Sequence, residues 1–345
     1  MPHEANLTRL LADTIGVARA DALFGAMQVA DGLLEQRGDD VSRAVLAQAL
    51  NMLLFEDLVT RVPAAAAYVA DCRAAGARLL HDHGAVRTIA LEGMGALPAG
   101  IASIVRLLAP LGYELAGTYP LDRIRMTGRS YTQVDYPEAI AQFFVSELHV
   151  DRLAPATQKA IASVMATSVD PLSPAAAASL SHLSRHGALP YAESLRLLPV
   201  LVSSFGRQHN EPALADYETI LADTAEGAWI ATEGNAFNHA TDRVADVEAL
   251  AERQKALGRP MKPEVEISAT GRVKQTAFLA ARVERGFVGP GGERIVRSVP
   301  GSFYEFITRL PKEDKTLDLG FDPSNAQGIF AMTAGQAKSS EGKAA

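Results

Sequence analysis

Cysteine is nearly absent from this 345-residue chain. Cys72 is the only one, which excludes an internal disulfide and a zinc cluster built from cysteines. Long hydrophobic runs are missing too. Stretches such as LLPVLV (197–202) fall far short of the ~20 apolar residues that cross a bilayer. No block of lysine and arginine occurs, and 33 basic against 40 acidic residues give a net charge of −7. That balance argues against nucleic acid or an anionic membrane surface as the main partner. The opening residues, MPHEANLTRLLADTIG, lack the basic-then-apolar layout of a secretory signal. A cytoplasmic protein is the expectation, and no feature of the sequence sets an oligomeric state.

Hydrophobic residues make up 48% of the chain and charged ones 21%, enough to bury a sizeable core in one large domain or two smaller ones. Residues 1–82 read as a helical region. DDVSRAVLAQALNMLLFEDLVTRV begins with Asp39 and Asp40, both good N-cap residues, and VPAAAAYVADCRAAGARLL follows after a proline start. From His83 the texture changes. AVRTIAL reads as a strand, LPAGIASIVRLLAPLGY as a helix ending near Gly112, and ELAGTYPL, IRMTGRSYTQVD and FFVSELHV as three strands. Residues 152–230 return to helix, punctuated by DPLSP, HGALP and NEP.

The same grammar then repeats. NAFNHATDRV reads as a strand and VADVEALAERQKALGRP as a helix. PEVEISAT, VKQTAFLAARVERGFV and GSFYEFITRL are β-rich, with GPGGE as a turn between the last two. Strand, helix, strand, strand, strand thus occurs over 83–151 and again over 231–332, followed by a tail, 333–345, expected to be disordered. The fold class is α+β: paired βαβββ units with N-terminal helices and a helical insertion.

Each unit opens on His-x-x-x-Arg, as HGAVR (His83, Arg87) and HATDR (His239, Arg243). Residues four apart on a strand face the same way, so two curved units side by side would bring a histidine from each into one cleft. Two neutral imidazoles suit Fe, Zn, Ni or Cu, and one carboxylate would complete a facial triad with positions left for substrate and oxygen. Glu305, in the aromatic strand SFYEF, leads as the carboxylate; Glu147, in FFVSELHV, is second, and spacing does not choose between them. Four strand residues span roughly 13 Å, so Arg87 leaves room for a small extended acid and would grip its far carboxylate in a two-pronged hydrogen bond.

Plainer readings exist for each residue. Glu305 could pair with Arg309, and His81 could replace His83. His149 could coordinate together with Glu147 or lie in solvent. His182 and His186 have helical spacing without the glutamate of a zinc-protease motif, and with His209 they read as surface residues.

In order and spacing, HGAVR, FNHATDR, VKQTAF, SFYEF and SNAQGIF resemble the 2-oxoadipate dioxygenase/decarboxylase (D-2-hydroxyglutarate synthase-like) family over about residues 40–332. The resemblance implies a vicinal-oxygen-chelate-like core holding Fe(II) on His83, His239 and Glu305. It implies Arg87 as the catalytic arginine, and substrate contacts from His83, Arg87, His239 and Ser324. It also implies a 2-oxo acid and O2 as reactants, most directly 2-oxoadipate going to D-2-hydroxyglutarate and CO2 in lysine catabolism. The chain is compact beside longer bacterial members, and Tyr304, Tyr131 and Arg129 are expected to reshape the pocket. The same architecture would also serve a Zn- or Ni-dependent isomerase, lyase or hydrolase, or a small-acid-binding module without catalysis.

Overall fold

The computed structural model describes residues 5–322; Ser324, the rest of SNAQGIF and the tail at 333–345 lie outside the described residues. The N-terminal helices are Asn6–Ile15, Val17–Ala26, Asp31–Leu34, Arg43–Arg61 and Pro63–Ala74. Ser42 caps the longest, its hydroxyl accepting from the Val45 N–H. Asp39 and Asp40 do not cap it, because Asp40–Ser42 is drawn into a short antiparallel pairing with Ala188–Pro190. From Ala44 to Phe55 this helix is buried without a break, as befits one enclosed by neighbours rather than lying on a surface.

The core is a curled eight-stranded sheet. Its strands are β1 (His81–Ala90), β2 (Tyr113–Leu121), β3 (Met126–Gln133), β4 (Gln142–His149), β5 (His239–Arg243), β6 (Glu266–Ile267), β7 (Val273–Ala277) and β8 (Phe303–Arg309). They lie in the order β2-β3-β4-β1-β5-β8-β7-β6, so each half repeats one pattern about the β1–β5 seam. The first strand of each half pairs in parallel with its fourth, β1 with β4 and β5 with β8. All other pairings in the sheet are antiparallel, the seam included. A helix follows each first strand: Ala102–Leu108, leading to Gly112 in the left-handed region (φ 82°), and Val247–Ala256. Between the halves run helices Pro155–Met165, Pro174–His186, Tyr191–Ser204, Leu214–Asp223 and Ala225–Glu233.

One stretch of the β-rich reading needs correction. VKQTAFLAARVERGFV is two strands, β7 and Arg282–Val288. GPGGE closes a hairpin from Arg282–Val288 to Arg294–Pro300, a strand the texture of the sequence did not reveal. This ribbon stands apart from the main sheet. Phe287 at its core packs against Tyr217, while Arg285 and Arg294 pair with Glu233 and Glu211.

One face of the sheet packs on the N-terminal helices. Tyr304 and Phe306 from β8 meet Phe55 and Tyr68, and His81 meets Phe55 and Phe237. Gly84 permits this packing, since a Cβ there would lie 2.2 Å from the Phe237 ring. Gly84→Ala is therefore expected to cost roughly 1–3 kcal/mol as an overpacked core, read as a lower urea midpoint at unchanged slope.

Asp242 faces the same side, accepting from Tyr68 Oη (2.7 Å) and the Leu80 N–H (3.0 Å). Burial pushes its carboxyl up to about 7, against the hydrogen bonds from Tyr68 and Leu80. Between the ordinary aspartate value and about 7 the folded chain holds a proton that the unfolded chain has released. Stability from this group therefore falls as pH rises through that window and levels off above it. Asp242→Asn should flatten the slope by on the order of a few kcal/mol, read from urea unfolding at about pH 5 and about pH 8.

Candidate metal centre

His83 on β1, His239 on β5 and Glu305 on β8 are all buried, and one ligand atom from each lies within 4.8 Å of the others. Register brings them together. His83 stands opposite Thr241 and Ala85 opposite His239 across the seam, while Phe303 and Glu305 lie beside His239 and Thr241. Alternate residues face the same way, so the three side chains emerge on the side away from the N-terminal helices. A bulge between His81 and His83 turns the two histidines to opposite faces. His81 goes into the helix-side packing, which removes it as a rival ligand.

The ring Nε2 atoms of His83 and His239 are 3.4 and 3.2 Å from Glu305 Oε2. Thr241 Oγ1 donates to that same oxygen at 2.8 Å and lies 3.1 Å from His83 Nε2. Glu305 Oε1 is buried with no hydrogen-bond partner among the described residues. A carboxylate oxygen left so is costly, and two imidazoles with one carboxylate are a donor set that fits a divalent transition metal.

The Nδ1 atoms face outward from the trio. His83 Nδ1 is 2.8 Å from Asp82 Oδ1, and His239 Nδ1 is 3.3 Å from Asn238 Oδ1. Asp82 is fully enclosed and receives Arg243 Nε at 2.6 Å and Arg309 Nη2 at 2.9 Å. Burial alone would raise the Asp82 carboxyl, but Arg309, His83 and Arg243 outweigh it and hold it well below its ordinary value. Burial likewise opposes charge on His83, yet Asp82 and Glu305 prevail and raise it. His239 has no such anion at Nδ1, and burial lowers it to about 3 despite Glu305. Glu305 is held below its ordinary value because His239, His83 and Thr241 outweigh its burial.

Beside the trio lies a small pocket, walled by Phe144 and Phe321 and edged by Ser146, Asn238, Gln275, Arg87 and Asp322. Arg87, expected to meet a substrate carboxylate, does line it, but with partners of its own. Its Nη1 is 2.5 Å from Glu226 Oε2, its Nη2 donates to Asn238 Oδ1 at 3.2 Å, and its guanidinium lies over Trp229. Glu226 comes from the helix Ala225–Glu233 and is buried as deeply as Arg87.

Other expectations are corrected. In parallel register His83 lies beside Gln142 as His239 lies beside Phe303, so the counterpart of Glu305 is Phe144 and not Glu147. An odd offset puts Glu147 on the other face, where it accepts from Arg129 Nη1 (2.9 Å) and the Ile101 N–H (2.7 Å). Arg129, Tyr131 and Tyr304 therefore do not shape the pocket: the first is bound to Glu147, and both tyrosines belong to the helix-side core. His149 bonds Thr127 and not Glu147, and Glu305 leaves Arg309 to Asp82. His186 is exposed as read, but His209 is buried between the carbonyls of Asn210 and Ile230. Asp82 and Asn238 were missed, although each immediately precedes its histidine.

The sequence profile of the 2-oxoadipate dioxygenase/decarboxylase family matches residues 54–318. The rice chloroplastic/amyloplastic 2-oxoadipate dioxygenase/decarboxylase is 25% identical over 290 residues, 75% of this chain and 70% of the rice protein. A crystal structure from Ralstonia eutropha, assigned to the glyoxalase superfamily, is 53% identical with TM-score 0.88, covering 92% of this chain and 98% of that one. Rice hydroxyglutarate synthase in complex with 2-oxoadipate superposes with TM-score 0.66 at 20% identity, covering 90% and 96% of the two chains.

Proposed function

The chain belongs to the 2-oxoadipate dioxygenase/decarboxylase family, and from that premise we propose that it is a metal-dependent oxygenase of 2-oxo dicarboxylic acids. The reaction is 2-oxoadipate plus O2 to D-2-hydroxyglutarate plus CO2, with both oxygen atoms retained in the products. One observation carries this reading: two imidazoles and a carboxylate from strands distant in the chain but adjacent in the sheet converge in a buried site beside a small pocket.

His83, His239 and Glu305 would hold Fe(II). Bound there, Fe(II) supplies the one-electron chemistry that lets O2 react with a closed-shell acid. The chain's own residues do the rest. Thr241 donates to Glu305 Oε2, the oxygen that faces both imidazoles, and so holds the carboxylate beside them. Phe144 and Phe321 keep water from the chain of a bound acid. Ser146, Asn238 and Gln275 offer neutral hydrogen-bonding groups along it, and Arg87 places positive charge on the same wall.

Anaerobic loading with Fe(II), followed by O2 uptake and CO2 release across a panel of 2-oxo acids, tests the proposal. Stoichiometric O2 and CO2 with 2-oxoadipate are expected; a zinc form that is fully active without O2 would overturn it in favour of an isomerase or lyase. Arg87→Ala should lower kcat/KM for 2-oxoadipate by roughly 10–100-fold, the worth of a charge-assisted hydrogen bond, and by more than it lowers that for 2-oxo monoacids of equal length.

A further inference from the structure

We propose that the hexapeptides Asp82–Arg87 and Asn238–Arg243 form a reciprocal outer layer around the metal centre. The residue before each histidine fixes that ring, and the arginine of the opposite half holds that residue. The inference rests on the metal reading above and adds positioning residues to it.

The sequences are DHGAVR and NHATDR, so each carries an acceptor, a histidine and, four residues further on, an arginine. Antiparallel register at the seam, with Gly84 opposite Ala240, places the end of each hexapeptide next to the start of the other. Arg243 therefore reaches Asp82, Nε to Oδ2, at 2.6 Å. Arg87 reaches Asn238, Nη2 to Oδ1, at 3.2 Å. The exchange is mutual, and both arginines come from the opposite half.

Hydrogen-bond polarity then fixes both rings. A carboxylate accepts only, so the proton between Asp82 Oδ1 and His83 Nδ1 belongs to the ring. A guanidinium donates only, so the Asn238 amide must turn its oxygen toward Arg87. That same oxygen faces His239 Nδ1, which must then be the protonated nitrogen. Nδ1–H is thus assigned on both rings, and Nε2 on both is the atom aimed at Glu305. The backbone of Asn238 is itself fixed, its N–H donating to the Ala85 carbonyl and its carbonyl accepting from the Phe303 N–H. Partners of this kind orient a ligand and raise its basicity, and losing one lowers metal affinity by roughly 10–100-fold. Behind Arg87, Glu226 anchors the guanidinium, as Arg309 reinforces Arg243 at Asp82.

Asn238 gives the cleaner test, because replacing it leaves no buried charge without a counterion. The apoprotein of the full chain is titrated with Co(II), following both the dissociation constant and the visible ligand-field spectrum, and urea midpoints check the fold. Asn238→Ala is expected to weaken Co(II) binding by roughly 10–100-fold and to shift the spectrum, with Asn238→Asp, which keeps the acceptor, restoring both. If Asn238→Ala folds poorly, Asn238→Ser serves instead, its hydroxyl being too short to make the same bond. Wild-type binding with unchanged affinity and spectrum in the variant overturns this inference alone. A wild-type protein that takes up no Co(II) overturns the metal reading and this inference with it.

Discussion

Glu305→Ala protein should bind no stoichiometric divalent metal and turn over no 2-oxo acid, while remaining folded. Glu305 supplies the only carboxylate of the trio, and the two imidazole nitrogens both lie within 3.4 Å of its Oε2. Two neutral histidines alone make a weak and unselective site, so a loss of at least roughly a thousandfold in affinity is expected, with turnover falling alongside it. Folding should survive because the substitution deletes a buried acid whose second oxygen has no partner among the described residues. Metal content after anaerobic dialysis against Fe(II), together with the urea midpoint, checks both halves of the expectation. Full iron occupancy in the variant would remove Glu305 from the site.

Arg309→Met should have the largest effect on stability. Arg309 and Asp82 are both completely enclosed, with Arg309 Nε and Nη2 within 3.1 Å of the carboxylate. Its Nη1 also donates to the carbonyls of Asp318 and Gly320, each at 2.8 Å. Methionine matches the stem but leaves Asp82 to Arg243 and His83 alone. Breaking one side of a buried pair typically costs about 3–5 kcal/mol, since the remaining charge stays out of water. Urea unfolding measures this directly. The paired change Asp82→Asn with Arg309→Met should recover part of the loss, because it removes the stranded charge. A single variant within about 1 kcal/mol of the parent would mean that water reaches Asp82 and that the enclosure matters little.

The two-copy architecture was legible because it rests on local signals: strand-sized β-rich runs, a helix between them, and the same His-x-x-x-Arg opening. The convergence of His83 and His239 follows from placing those openings side by side. Glu147 shows where counting fails. It occupies a similar place in its strand, but face is decided by odd or even offset from the partner strand, and register is set by pairing that spacing does not reveal. The bulge that separates His81 from His83 depends on the same long-range pairing. Glu226 was invisible for another reason: it lies 139 positions from Arg87 in the chain, in the first turn of a helix, where an acid needs no explanation beyond the helix dipole. The strand Arg294–Pro300 escaped because its residues, RIVRSVP, are mostly exposed and lack the alternation of a half-buried strand.

The seam between β1 and β5 has a last consequence. It places one histidine on each side of the line where the halves meet, with the glutamate on the second side. Neither half owns a complete coordination sphere, so an ion bound there acts as a rivet between them. Mixing separately produced halves should then reassemble more readily with metal than without, and a chelator should loosen the whole molecule rather than merely empty its site.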